Sequence, residues 1–204
     1  MMFTDGRRVI CAASKCGSTS LKQAEKPWGW DRINGMHQKD RDRIEKADIV
    51  YCVLRHPMER ILSSWRMYFV KPVLHNRKDG SWGPIHWHLN TDIAIEYCTK
   101  NHSAVLEDPV ATFHDFMLND VHRFVAREDP HFQPQWHTYR GLALHPGCHF
   151  VKNFDRLQYD LGFIPRRVHI GIWPWSDLTT DDFCTNAPEV EYLHKDWELW
   201  NRKL

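Results

Sequence analysis

Long apolar runs are missing from this chain. No stretch of about 18 apolar residues occurs in its 204 residues, so no membrane-spanning helix and no membrane partner are expected. The opening, Met1 to Arg8, is polar and lacks the apolar segment of a secretory signal, which leads to the expectation of a cytoplasmic protein with reduced thiols. The six cysteines (Cys11, Cys16, Cys52, Cys98, Cys148 and Cys184) contain no CxxC pair, which argues against a zinc ribbon or a dithiol redox motif. Cys11 and Cys52 lie inside apolar runs and read as buried free thiols. Excess charge of one sign is missing too. With 27 Lys+Arg against 26 Asp+Glu the formal net charge is +1, so there is no global field for a nucleic-acid partner, and any anion site has to be a local cluster. No internal repeat and no domain-length linker interrupt the sequence.

What is there reads as globular. The chain is 42% hydrophobic and 26% charged, outside the range of disordered chains. Its length suits a single α/β domain over residues 1–204 with its own core. Arg8 to Ala13 is a short apolar run ending at Ser14 and reads as a buried strand. The small-residue stretch Ser14 to Ser20 follows, then a helical segment, Leu21 to Lys26, that Pro27 stops. Pro27 to Gly35 reads as a loop and Gln38 to Ala47 as a charged, exposed helix. Ile49 to Leu54 is a second buried strand. It ends at Arg55-His56-Pro57, where Pro57 suits the first turn of a helix carrying Ile61, Leu62 and Trp65 on one face. Lys71 to Asn90 reads as a long loop of the kind that covers a substrate. Helices are expected at Thr91–Lys100 and Val110–Leu118, irregular chain from Asp129 to Pro146, and a third strand from Cys148 to Phe154. A short helix follows at Asp155–Leu161, then a strand near Val168–Ile172. The closing helix spans Pro188–Arg202, with Val190, Leu193, Trp197 and Trp200 on one side. The expected architecture is a central, mostly parallel sheet flanked by helices.

Two segments carry chemistry. Lys15-Cys16-Gly17-Ser18-Thr19-Ser20 stands between a strand and a helix. Small residues let backbone wrap an anion, a helix N-terminus offers unpaired N–H groups, Lys15 adds a full charge, and Ser18, Thr19 and Ser20 add hydroxyl donors. A capped helix after a strand explains the same residues without a ligand. The Walker pattern GxxxxGK[ST] is not met, because the Lys precedes the Gly, which disfavours a nucleotide kinase. The second segment places Arg55 at the carboxyl end of a strand, with Ser63 eight residues on. A guanidinium and a hydroxyl there can hold one phosphate, although a surface Glu59/Arg60 pair at a helix start is the plainer account. Two anion loops on neighbouring strand ends suit a ligand phosphorylated in two places. His86-Trp87-His88 supplies two imidazoles without a third ligand, so no metal is expected. Trp28, Trp30, Trp82 and Trp87 are candidates for stacking on an acceptor, with core packing as the other account. Lys152, Arg166 and Arg167 are candidates for contacts to an acidic acceptor.

Taken together, these loops resemble the signature of the sulfotransferases that use 3′-phosphoadenosine 5′-phosphosulfate (PAPS). Lys15 to Ser20 resembles the loop that holds the 5′-phosphosulfate, and Arg55 with Ser63 resembles the pair that holds the 3′-phosphate. Asp129 to Gln135, Cys148, Phe150 to Leu157 and Tyr192 to Trp200 resemble later blocks of the carbohydrate (Golgi-type) members. Ser14 replaces the usual Pro, a second Cys near Cys148 is missing, and the membrane anchor of those enzymes is absent. The resemblance implies a P-loop-like fold and PAPS as co-substrate, with adenosine 3′,5′-bisphosphate as product. It also implies in-line transfer to a hydroxyl or amine, most readily on a carbohydrate. Lys15 would stabilise charge on the bridging oxygen. Relatives take the acceptor proton with a His or Glu between the two phosphate motifs. Here His37 is the first choice, with Glu25 and His131 as alternatives. A nucleotide kinase or a non-catalytic nucleotide-binding module are the competing readings.

Overall fold

The computed structural model describes residues 1–17, 21, 29–35, 37–74, 91–152, 157, 175 and 177–202. In chain order these form β1 (Met2–Thr4), β2 (Arg8–Ala12), β3 (Asp31–Ile33), α1 (Gln38–Glu45), β4 (Ile49–Val53) and α2 (Pro57–Trp65). A π turn, Arg66–Val70, runs on into α3 (Lys71–Leu74). Then come α4 (Thr91–Glu107), α5 (Pro109–Asn119), α6 (Val121–Ala126), α7 (Gln135–Tyr139), a 3-10 turn at Leu142–Leu144, and β5 (Cys148–Val151). The described chain closes with α8 (Thr180–Cys184), a second 3-10 turn at Glu191–Leu193, and α9 (His194–Asn201).

The strands form one open sheet in the order β3-β1-β2-β4-β5, flanked by helices. β2, β4 and β5 pair in parallel, whereas β1 is antiparallel to both β2 and β3. The expected mostly parallel sheet is therefore mixed. Its parallel half was legible because β2 and β4 are buried along nearly their whole length, which forces continuous apolar runs. β1 and β3 were missed. Each is three residues long, too short for a periodic signal, and β3 exposes Asp31 and Arg32. The register sets the geometry that matters below. Ala12 is level with Val53, and Val53 with Val151, so three neighbouring strands end at one edge. Cys11 and Ile33 both face Met2, so the chain leaves β3 at that same edge.

The chain divides into two compact units: Met1–Pro57 with Pro134–His169 and Lys195–Leu204, and Met58–Gln133 with Ile170–His194. The first holds the sheet. Its core joins Phe3, Val9, Ile10, Cys11, Val50, Cys52 and Val53 to Tyr139, Leu157 and Leu199. Trp30, weighed as an acceptor platform, is buried in this core with the Arg8 guanidinium 5.6 Å from its ring. The second unit is helical, with an aromatic core of Trp65, Tyr68, Phe69, Tyr97, Phe113, Phe116, Phe124, Phe132 and Phe183.

Three further expectations are corrected. Lys71 to Leu74 is helix rather than the start of a loop. Pro72 has no N–H to give the Tyr68 carbonyl, so the helix widens into the π turn and the Cys98 thiol meets that carbonyl at 3.8 Å. The rest of that predicted loop, with Trp82, His86, Trp87 and His88, lies outside the described residues, as do Trp28, Arg166, Arg167, the predicted element at 168–172 and, apart from the buried Leu157, the one at 155–161. Asp129 to Pro146 is not wholly irregular, because α7 forms within it. The closing helix begins only at His194. Val190 is extended, and within α9 the buried residues are Asp196 and Leu199, with Trp197 and Trp200 half-buried.

Candidate functional site

The exit of β2 is a tight turn. The Cys16 N–H donates to the Ala13 carbonyl at 3.1 Å, and Lys15, third in the turn, takes φ 66. That left-handed conformation is one a glycine adopts more easily. Gly17 follows at φ 84, and its carbonyl accepts the Leu21 N–H at 3.1 Å, a helical i→i−4 bond. Loop backbone with positive φ at such a junction turns N–H groups toward a common point, the geometry of anion-binding nests. The Cys16 side chain points inward, 3% exposed, with its thiol 3.0 Å from Gln135 Oε1, so only its backbone is available to a ligand. Ser18, Thr19, Ser20 and Glu25 lie outside the described residues.

Arg55 is two residues beyond β4. Its Nη1 donates to the Lys15 carbonyl at 3.2 Å, so the two predicted anion loops are in contact. Lys152 stands one residue beyond β5, its ammonium 5.3 Å from the Trp200 ring. Lys15, Arg55 and Lys152 thus leave three adjacent parallel strands at one edge of the sheet. This is a local cationic cluster on a chain of net charge +1. Ligands in open α/β sheets bind at this carboxyl edge.

The residues supporting this edge were not singled out from the sequence. Gln135, 1% exposed, treats Arg55 as a neighbouring strand would. Its Oε1 accepts the Arg55 N–H at 2.9 Å and its Nε2 donates to the Arg55 carbonyl at 2.9 Å, so the ladder continues past β4 on a side-chain amide. Tyr139 bridges two strand ends: the Ala13 N–H donates to its hydroxyl at 2.8 Å, and that hydroxyl donates to the Val53 carbonyl. Asp196, 1% exposed, accepts the Gln135 and Trp136 N–H groups at 2.8 and 2.9 Å, fixing the start of α7. The sequence offered Gln135 and Asp196 only as members of blocks with a family likeness, and nothing marked Tyr139. His56 packs edge-on against Trp197 and Trp200, with ring centroids 4.9 and 5.5 Å away.

His37 is exposed at the N-cap of α1. Its side chain makes no capping hydrogen bond, and the chain reaches it from the β3 end of the cationic edge. Ser63 lies on α2 in the helical unit, half-buried. His131 belongs to that unit and is held tightly. Its N–H donates to Asp129 Oδ1 at 2.9 Å, and its carbonyl accepts from Arg60 Nη1 at 3.0 Å and Ser64 Oγ at 2.8 Å. Its Nδ1 lies 3.1 Å from Asp129 Oδ1 and 3.0 Å from the Tyr68 hydroxyl.

Four thiols, Cys11, Cys16, Cys52 and Cys98, are buried, and Cys148 and Cys184 are half-buried. Burial pushes Cys11 up to about 12. Cys52 and Cys148 lie 3.9 Å apart across β4 and β5. The hydrogen bond between them raises Cys52, which burial raises further, and lowers Cys148. Cys148 thus has a sulfur neighbour that the sequence, searched only nearby along the chain, did not reveal. Among the described residues no group of three or more His, Cys, Asp or Glu side chains is placed to hold a metal, and no helix is long and apolar enough to cross a membrane. No family model, no curated protein and no solved structure matches this chain.

Proposed function

We propose that the chain is a sulfotransferase that moves the sulfuryl group of PAPS to an acceptor hydroxyl or amine, with a carbohydrate as the favoured acceptor. The observation that carries the reading is the contact between Arg55 and the Lys15 carbonyl. It brings together, at one sheet edge, the two loops whose residues resemble those holding the two ends of a doubly phosphorylated adenosine. Lys15 and the backbone of Cys16 and Gly17 hold the 5′-phosphosulfate, with Ser18, Thr19 and Ser20 contributing as the resemblance implies. Arg55, with Ser63 as its partner in the resemblance, holds the 3′-phosphate.

The acceptor oxygen attacks sulfur as the bond from sulfur to the 5′-phosphate oxygen breaks. The electron pair leaves with adenosine 3′,5′-bisphosphate, and the acceptor proton passes to a base. Charge grows on the bridging oxygen, where the Lys15 ammonium is worth most. No step in this chemistry calls for a metal. Each charge-assisted hydrogen bond to the donor contributes about 1.5–3 kcal/mol. His37 and His131 are the described candidates for the base.

Ligand-dependent melting tests the reading. Adenosine 3′,5′-bisphosphate is expected to raise Tm, by roughly 2.7 kcal/mol of added stability at a hundred times Kd, and ATP with Mg²⁺ much less. Larger stabilisation by ATP favours a kinase. Bisphosphate binding without turnover of labelled PAPS on glycans, phenols and amines favours a binding module. Lys15→Ala is expected to abolish transfer while the fold persists.

A further inference from the structure

Three thiols share one face of the sheet. Cys11 and Cys52 are level on the paired strands β2 and β4. Cys148 of β5 is level with Val50, two residues before Cys52, so it lies on the same face and meets Cys52 diagonally, sulfur to sulfur at 3.9 Å. All three belong to the unit that holds the sheet. Their access to water differs along the row. Cys11 is 1% exposed and Cys52 0% exposed, whereas Cys148, at the start of the outermost described strand, is half-buried.

Either sulfur can donate across the contact, and burial decides which does. A thiolate at Cys52 would be a charge in a dry interior. A thiolate at Cys148 keeps part of its hydration and accepts the Cys52 S–H. The first proton lost by the pair therefore leaves Cys148. That hydrogen bond and burial raise Cys52, and the same hydrogen bond holds Cys148 below the ordinary thiol value. The other titratable groups around the pair are engaged elsewhere. Burial raises Cys11 to about 12 and keeps it protonated. The Tyr139 hydroxyl serves Ala13 and Val53. On the turn before β5, His145 Nδ1 accepts the Gly147 N–H at 3.0 Å, and Asp48 pairs with Arg7 at 3.0 Å. His149 projects from the opposite face, beside Tyr51. Lys152 shares the face but stands four residues along, against Trp200. His137 and Arg140 of α7 are exposed.

We propose that Cys148 is a modification site that takes small peroxides, with Cys52 as the buried S–H donor to its sulfur. The site is independent of the transferase reading. A thiol that reaches solvent and has a second thiol beside it is the arrangement of peroxide-sensitive cysteines. In the step, the Cys148 thiolate attacks one peroxide oxygen. The S–O bond forms as the O–O bond breaks, and hydroxide leaves to become water with the proton the thiol gave up. Cys148 is oxidised by two electrons to a sulfenic acid, and the peroxide is reduced.

Iodoacetamide labelling of the intact native chain, followed peptide by peptide across pH, tests the site. Cys148 is expected to label with a midpoint below the ordinary thiol value of about 8.5, and at neutral pH ahead of Cys184, the other half-buried thiol. Each unit by which the midpoint falls gives about a threefold gain in rate, because the extra thiolate is partly offset by weaker nucleophilicity. Cys52→Ala is expected to return the midpoint to the ordinary value and slow the labelling. Cys52→Ser, which keeps a donor, is expected to retain most of both. Hydrogen peroxide with dimedone present is expected to leave its adduct on Cys148, and a disulfide from Cys148 to Cys52 would mark the same site. A Cys148 midpoint at or above the ordinary value overturns the proposal. So does a folded Cys52→Ala chain that labels as fast as the unaltered one, or peroxide oxidation that reaches Cys184 and spares Cys148. If Cys52→Ala unfolds, seen as labelling of the buried Cys11 and Cys98, the pH profile and the peroxide product of the unaltered chain still decide.

Discussion

At the scale of single residues, the cationic edge depends on side chains that never meet a ligand. The Tyr139 hydroxyl serves the Ala13 N–H and the Val53 carbonyl at once, and Tyr139 is fully buried. In Tyr139→Phe both backbone groups lose their partner where water cannot replace it. The expected cost is about 2 kcal/mol, read as a fall of roughly 5 °C in Tm. Because those groups sit where β2 and β4 end, the transferase reading also expects the variant to bind adenosine 3′,5′-bisphosphate more weakly. An unchanged Tm and affinity would show that the bridge contributes nothing. Lys15, Gly17 and Arg55 were legible in the sequence because charge and small side chains at a strand–helix junction have a direct chemical meaning. Gln135, Tyr139 and Asp196 were not, because a buried Gln, Tyr or Asp matters only through partners 61 to 126 residues away.

At the scale of elements, the parallel strands were readable and the edges were not. β2 and β4 announce themselves as unbroken apolar runs, whereas β1, β3 and the helix α7 are too short to carry a period. The π turn arises from one proline whose effect falls four residues earlier, on the Tyr68 carbonyl, which no local propensity encodes. The junction that starts β5 is equally specific. The Gly147 carbonyl accepts the Val50 N–H at 2.9 Å, and a Cβ at Gly147 would stand 2.2 Å from the Asp48 carbonyl oxygen. Gly147→Ala therefore has to push β5 away from β4, at an expected cost of about 1–3 kcal/mol. Hydrogen exchange is expected to speed up at Val50 and Leu54, which bond to the β5 segment, and less at the β1–β2 amides. Uniform exchange across the sheet would count against this junction as the weak point.

At the scale of the whole molecule, the interior is rich in groups that resist ionisation. Burial raises Tyr68, Tyr97 and Tyr139 above the ordinary phenol value, and at Tyr68 the Asp129 carboxylate raises it further. An unfolded chain releases those protons near pH 10 while the native chain keeps them. The unfolded state then binds fewer protons, and stability falls as pH rises. It is fully present below pH 10 and is lost above it, by up to about 1.4 kcal/mol per pH unit for each phenol. The buried thiols Cys11 and Cys98, both raised to about 12, act in the same direction from near pH 9. The urea midpoint is expected to drop clearly between pH 9 and pH 11, and a flat profile would contradict the burial of these side chains. The backbone at Lys15 pulls the molecule in two directions. At φ 66 a glycine would sit more comfortably, yet a glycine carries no ammonium. A library sorted for heat resistance alone is expected to drift toward glycine at this position and lose the charge that the transferase reading gives to Lys15, so on that reading thermostability and turnover have to be selected together.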